Sequence, residues 1–488
     1  MRPFLLVLPL LSVSGLRMRR REIVRMDASM VTSFQAGQRV RVRPSFRKLC
    51  PDPEPEGVIV DTWVKCEVDP HCCCAELAFD APIGIRFESG RVVHFAEEEI
   101  QLVRQVRRDA HAGPVLAIAP YGATEDGEEL LVSAGGYGQS STMMSWEMST
   151  LERRRKLWTA TDTSHLAAGT ASPAPASTLF SLDFFPEAQG GVLAWGGSDG
   201  WCFFARRDSR GNLQGKVDGP PDAIHRHSGW VRDVRFAPDG QRAYAIGCES
   251  LAVHRLDGLA GEVDYIVGGR ADGGMLDSGR SPDDPDEWRR HDILCTSITS
   301  CERQEVEEGA QGREEQQVDL TGVDLIGAGL VDGSVRCHLF APDSSAAKLI
   351  MNHGWKAHSE RVVGLAWFGD VESAEKRGGK KLVSLSKEGS LKVWEVAIHG
   401  TEERLFAERL HAEASLGVEC RALATSPASI FVGCADGTVR GFDPSTLEEV
   451  LIWKGDPGDA VTALSISPSA KLLIGTKSGT IAVVSGGA

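Results

Sequence analysis

The chain has 488 residues, 42% hydrophobic and 25% charged, with 53 glycines and a formal net charge of −15. That composition excludes a collagen-like or disordered polymer and supplies ample apolar material for a core. The acidic balance argues against nucleic acid as a default partner, although the first 49 residues carry eleven Lys/Arg against Glu22 and Asp27.

At the N-terminus, Met1-Arg2-Pro3 precedes the apolar run Phe4 to Leu11 and the small residues Ser12, Ser14 and Gly15. This is the layout of a secretory signal, and it is too short to span a bilayer as a helix. Met26 is the alternative start, which would make residues 1–25 a non-native upstream extension. The only asparagines, Asn212 and Asn352, lie outside any Asn-x-Ser/Thr acceptor. The expected compartment is cytoplasmic or nuclear, with secretory or organelle entry if residues 1–25 act as a signal.

Residues 36–104 read as a small antiparallel β-barrel-like domain. Gly37–Arg43, Glu56–Val64, Cys74–Phe79 and Gly90–Phe95 are short alternating runs between polar loops. The segment resembles Tudor-like barrels, and that resemblance implies a peptide-binding aromatic cage. Trp63, Phe79, Phe87 and Phe95 are its candidates, or else they form the barrel core, where aromatics mostly pack. Cys66, His71, Cys72, Cys73 and Cys74, with Cys50 upstream, invite a zinc reading. Three adjacent cysteines cannot easily all face one tetrahedral ion, so an exposed Cys-rich loop is expected instead. Cys202, Cys248, Cys295, Cys337 and Cys434 fall in predicted strands and read as buried, reduced thiols.

From about residue 108 one pattern recurs: an apolar strand, a turn, a second apolar strand, a Gly-containing tight turn and a third strand. Its hairpins are Val192–Phe204, Leu325–His338, Leu382–Trp394, Phe431–Phe442 and Leu473–Val484, turning at Gly200, Gly333, Gly389, Gly437 and Gly479. Asp-Gly, Glu-Gly or Ser-Gly is the pair a two-residue hairpin needs, because Gly accepts positive φ. First strands recur after His227, His358, near Cys420 and near Val461, with degenerate copies near His111, Leu179 and His291, which makes seven units.

These phrases make residues 108–486 similar to the WD-repeat family. The resemblance implies an all-β chain: a seven-bladed β-propeller preceded by the small barrel. It also implies a structural tetrad, matched best by His358, Ser384, Glu388 and Trp394. No repeat keeps the Trp-Asp pair itself, and Trp394-Glu395 comes closest. The last repeat lacks an outer fourth strand, which Ile100–Val106 would lend from before the first repeat, hiding an open edge. The alternative gives that stretch to the N-terminal domain.

Acidic residues concentrate at 257–290 and 302–320, read as insertion loops between repeats. No phosphate-binding GxxxxGK[ST] loop or HExxH helix is present. Gly196-Gly197-Ser198-Asp199-Gly200 spells a nucleophile elbow, but a strand rather than a helix follows it, so it reads as a hairpin turn. No catalytic residue, cofactor, metal, small-molecule substrate or transmembrane span is expected. Family-typical partner positions map to Trp230, Arg232, Arg361, Lys387, Arg421 and Lys477, five of them basic. The expected function is a non-catalytic protein-interaction scaffold whose face accepts an acidic or phosphorylated segment. The alternatives are a reader of modified peptides through the barrel and, least favoured, a propeller hydrolase.

Overall fold

The computed structural model describes residues 39–42, 56–62, 83–87, 89–96, 100–102, 104–160, 177–187, 190–214, 227, 230–247, 251–255, 263–267, 293–300, 323–341, 348–370, 379–401 and 404–485. The protein is all-β, built from antiparallel sheets. Residues 1–38, Trp63, Phe79, the cysteines at 50, 66 and 72–74, His71, Cys248, the Cys74–Phe79 run and the 302–320 insertion lie outside the described residues.

An N-terminal five-stranded sheet has the order Val92–Phe95, Ile83–Phe87, Glu56–Thr62, Arg39–Val42, Ile100–Leu102. No pairing among the described residues joins its two edge strands, so what is described is a sheet rather than a closed barrel. Ile83–Phe87 was not anticipated. Val40, Val42, Ile59, Ile83, Ile85, Phe87 and Phe95 form its core. Phe87 and Phe95 meet edge to face there, both buried, so neither contributes to an open cage.

Among the described residues seven four-stranded sheets follow, numbered 1 to 7 in chain order. Their first strands are Val115–Ala123, Leu179–Glu187, Val231–Phe236, Ile293–Ser300, Val362–Asp370, Cys420–Thr425 and Val461–Ile466. Sheets 1 to 6 are meanders of consecutive strands. Sheet 7 takes its fourth strand from Arg104–Arg107, which pairs Ile481 with Arg107 and Val484 with Arg104. The Ile100–Val106 stretch is therefore divided: Ile100–Leu102 completes the N-terminal sheet and Arg104–Arg107 completes sheet 7. A further difference concerns the acidic 257–290 stretch, which contains Val263–Val267, the outer strand of sheet 3.

The apolar core is not one mass but seven clusters, each shared by two neighbouring sheets. Sheets 1 and 2 share Tyr121, Leu182 and Trp195; sheets 4 and 5 share Leu325, Leu365 and Trp394; sheets 5 and 6 share Leu385, Cys420 and Val432. One cluster combines Val115, Leu131 and Trp146 of sheet 1 with Leu473, Ile481 and Val483 of sheet 7. The first strands touch in the same order, that of sheet 7 packing on that of sheet 1.

Two backbone devices repeat with the clusters. Each first strand carries one extra residue in its second position, a bulge opposite the second strand: Leu116, Phe180, Arg232, Leu294, Val363, Arg421 and Thr462. Next, the carbonyl of a turn glycine accepts the N–H at the entry of the following sheet. The pairs are Gly200 with His227 at 2.8 Å, Gly333 with His358 at 2.9 Å, Gly389 with Leu416 at 2.9 Å, Gly437 with Gly455 at 2.9 Å and Gly479 with His111 at 3.2 Å. These five glycines all have positive φ, between 82° and 92°. A Cβ on Gly479 would also sit 2.2 Å from the His111 carbonyl oxygen.

Among the described residues, the His–Ser–Trp arrangement occurs twice inside the sheets. His358 Nε2 lies 2.7 Å from Ser384 Oγ, to which Trp394 Nε1 donates at 2.9 Å. His111 Nε2 lies 2.7 Å from Ser133 Oγ, to which Trp146 Nε1 donates at 2.8 Å, while His111 Nδ1 contacts Thr142 Oγ1. The second set was missed in the sequence. Glu388 does not join the buried network: it is exposed and accepts from Ser359 Oγ at 2.6 Å, leaving His358 Nδ1 without a hydrogen bond.

Two predictions follow from these contacts. Gly127 has φ +81° and nothing within 4 Å of an added Cβ, whereas Gly479 has φ +92° and backbone in the way. Gly127→Ala should cost about 1 kcal/mol, the conformational term alone, and Gly479→Ala at least about 2 kcal/mol more. Equal losses in urea melts would disprove the packing argument. The second concerns acid. Burial pushes the imidazoles of His111 and His358 down to about 4, while in the unfolded chain they protonate near 6.5. Between those values the unfolded state binds more protons. Each histidine's contribution is thus complete above about pH 6.5 and declines below it, by up to roughly 1.4 kcal/mol per pH unit. The urea midpoint should fall between pH 7.5 and 5.5, and replacing both histidines with Asn should flatten that fall.

Candidate interaction face

The bulges, the turn glycines and the sheet entries all lie at one end of the sheets, where the first strands start. That end is one face, and all six partner positions marked in the sequence occur on it. Arg361 precedes the first strand of sheet 5 and is exposed. Its carbonyl accepts from Lys387 N–H at 3.0 Å, and Lys387 in turn accepts from Cys420 N–H at 2.9 Å. The backbone therefore strings Arg361, Lys387 and Arg421 into a continuous run across sheets 5 and 6. Glu419 interrupts its charge, lying 3.1 Å from Arg421 and 4.0 Å from Lys387. Lys477 is exposed on the turn of sheet 7, held by its N–H to the Ala460 carbonyl at 2.8 Å.

Trp230 and Arg232 sit elsewhere on the face, with sheets 2 and 3. The Arg232 guanidinium lies 4.4 Å from the Trp230 ring centroid and 5.4 Å from that of Phe180, and the two rings are 5.3 Å apart. Arg232 is thus packed against two aromatic faces, a geometry that attracts the cation to both. Its Nε is buried without a hydrogen-bond partner. Trp230 is 45% exposed.

Two members of this group were not read from the sequence. Phe180 is the bulge residue of sheet 2, the counterpart of Arg232. Tyr137 lies on the turn after the second strand of sheet 1, one residue past Gly136, the counterpart of Lys387, and is 59% exposed. A short 3-10 turn, Gly138–Ser140, holds it, with Gly138 N–H donating to Thr178 Oγ1 of sheet 2 at 2.9 Å. Among the described residues, Tyr137 and Trp230 are the two exposed aromatic side chains; Trp230 packs on Phe180, and the turn after Tyr137 is tied to Thr178, two residues before Phe180. Alignment of the degenerate sheets 1 and 2 on the bulge position is the signal that would have found them.

Along the first strands, polar groups bind one sheet to the next. Asp183 accepts from Phe184 N–H at 2.9 Å and from Phe236 N–H of sheet 3 at 2.8 Å. Asp233 accepts from Ser181 Oγ of sheet 2 at 2.8 Å, from Val234 N–H and from Thr296 N–H of sheet 4 at 2.9 Å, with Arg235 at 3.3 Å. Ser297 Oγ accepts from Trp367 N–H of sheet 5 at 2.9 Å. Desolvation raises the Asp183 carboxyl, against the opposing pull of Arg235 and the two N–H donors. Both oxygens of both carboxylates are engaged in holding strands. They are spent on structure, not presented as ligands or as a general acid–base pair. Among the described residues no three His, Cys, Asp or Glu side chains gather to hold a metal, and no helix is long and apolar enough to cross a membrane.

Ser198, central to the Gly-x-Ser-x-Gly string, also has a structural task. Its Oγ accepts from Thr178 N–H at 2.9 Å, and its own N–H donates to the Thr178 carbonyl at 2.9 Å. The chain matches no family model and no curated protein.

Proposed function

We propose that the seven sheets are the blades of a WD-repeat β-propeller and that the protein is a non-catalytic scaffold holding partner proteins on the bulge-bearing face. The cyclic order of the sheet contacts, the repeated bulge and the two His–Ser–Trp sets support the propeller reading. The observation that carries the function is the pair of exposed rings, Tyr137 and Trp230, on this face, with half-buried Phe180 and Arg232 packed against Trp230. A folded protein gains nothing by leaving two large rings in water, whereas a partner burying them gains apolar area and, at the half-buried Arg232, a charged hydrogen bond. The run Arg361–Lys387–Arg421 lies on the other side of the same face. A segment that carries an apolar anchor and acidic or phosphorylated side chains would satisfy both arcs.

Affinity capture of the full chain from its native cell, read by mass spectrometry, identifies the partners; purified partners then give dissociation constants. Trp230→Ala should weaken binding by at least about 2 kcal/mol, roughly thirtyfold in Kd. Arg361→Glu with Arg421→Glu should weaken it further and reduce its salt dependence. Partners that bind both variants as tightly as the original chain would show that the site is elsewhere.

A further inference from the structure

Five cysteines are described, and all are free thiols. Cys202, Cys295 and Cys337 behave as small apolar side chains whose thiols burial pushes well above their ordinary range. Cys420 and Cys434 differ. They lie directly opposite each other on the first and second strands of sheet 6, and their sulfurs are 4.0 Å apart.

The backbone around them decides what that distance allows. Cys420 N–H turns away to the Lys387 carbonyl, and the Cys434 carbonyl accepts from Gly437 N–H in the adjoining turn. The two residues therefore face each other as a non-hydrogen-bonded pair, the kind in which antiparallel side chains come closest. The Cα separation of such pairs, about 4.5 Å, is within the range that a disulfide spans. Rotation of the side chains brings the sulfurs to bonding distance without sliding the strands.

We propose that Cys420 and Cys434 are a dithiol site that hydrogen peroxide converts to a reversible disulfide in the folded protein. The two thiols are not equivalent. Either sulfur can donate across this contact; with Cys420 as the donor, the bond holds the Cys434 thiol below its ordinary value, with Thr438 and Arg440 acting in the same direction, while Cys420 itself is pushed up. Cys434 is accordingly the nucleophile. Its thiolate attacks a peroxide oxygen, the O–O bond breaks, and the departing hydroxide takes up a proton as water, leaving a sulfenic acid. The Cys420 sulfur then attacks Cys434, the S–O bond breaks and a second water leaves with the Cys420 proton. In sum, two thiols lose two hydrogens and one peroxide becomes two waters. Both side chains are buried, which suits a small neutral oxidant and slows larger ones.

The site lies beside the interaction face. Arg421, the bulge residue of sheet 6, follows Cys420 directly, and Glu419, its ion-pair partner, precedes it. The new bond would tie the strand carrying both to the strand that leads into the Asp436–Gly437 turn. The chemistry stands without the binding role assigned to that face.

The test uses the full chain, reduced, then treated with hydrogen peroxide while folded, denatured in alkylating reagent and mapped by mass spectrometry. The expected product is a peptide pair joining Cys420 to Cys434, two hydrogens lighter and separated by dithiothreitol. In Cys420→Ser the cross-link should vanish and a sulfenic acid should be trapped by dimedone at Cys434. Circular dichroism checks that this variant folds, and mapping of the unsubstituted chain decides the matter if it does not. Recovery of both cysteines in alkylated form after peroxide, or either one joined to a different cysteine, would overturn the proposal.

Discussion

The contact on which the rest of the architecture depends is a backbone hydrogen bond between sheets: a turn-glycine carbonyl accepting the N–H at the entry of the next sheet. A four-stranded sheet of this size cannot stand alone, since its two faces need cover from neighbours. The glycine turn brings the neighbour in at a fixed position, because a side chain there would collide with the entry backbone. The approach is reinforced one step deeper. Val231, Val362, Val461 and Val115 each pack against a glycine in the second strand of the preceding sheet, at Gly196, Gly329, Gly433 and Gly475. Burial of those valines requires the same close approach that the turn bond sets. Apolar packing and the polar connection therefore specify one spacing between them.

The polar groups of the first strands serve the same end by different chemistry. Asp183 and Ser297 sit at equivalent positions and Asp233 two residues earlier in its strand, and each reaches the backbone of the following first strand, the two aspartates in addition to their own. A carboxylate placed in such surroundings would be expensive to bury alone. Here it receives backbone N–H groups and the Arg235 guanidinium. Near the opposite ends of sheets 3 and 4, Arg242 donates to Asp324 at 2.8 Å, and Tyr244 donates to the same carboxylate. Charge is thus used where strand contacts alone leave backbone donors unpaired. That use distinguishes these acids from the carboxylate clusters of a hydrolase, whose oxygens must stay available to a metal or a water.

What could be read in the sequence followed from which interactions are local. Turn glycines and the strands on either side of them are fixed by a few adjacent residues, and the five hairpins occur where the phrases place them, with positive φ at each glycine. The lent strand was legible as a need, since sheet 7 had only three strands of its own. Its boundary was not, because Ile100–Val106 is apolar enough throughout to serve two sheets. Val263–Val267 was hidden by the acids around it, which set the average character of a stretch without preventing five residues from pairing. The His111–Ser133–Trp146 set escaped notice because its members belong to a repeat without the usual entry phrase. Glu388 had the right spacing but the wrong reach, and its carboxylate settled on Ser359 at the surface.

The candidate face shows that a positional rule selects residues without describing the surface they make. Mapping by position picked out basic side chains as though they stood in open water. The structure pairs two of them with Glu419, so part of their charge is already answered within the chain. An exposed pair of this kind contributes little to affinity, because a partner must compete with the internal carboxylate and with salt. Tyr137 and Trp230 expose apolar area, and Arg232 lies against the faces of Trp230 and Phe180. On the scaffold reading, then, the two arcs divide the labour: the rings and Arg232 supply most of the binding free energy, and Arg361, Lys387 and Arg421 steer and orient an acidic partner. A segment with acidic residues but no apolar anchor meets only the half of the face that is already partly neutralised.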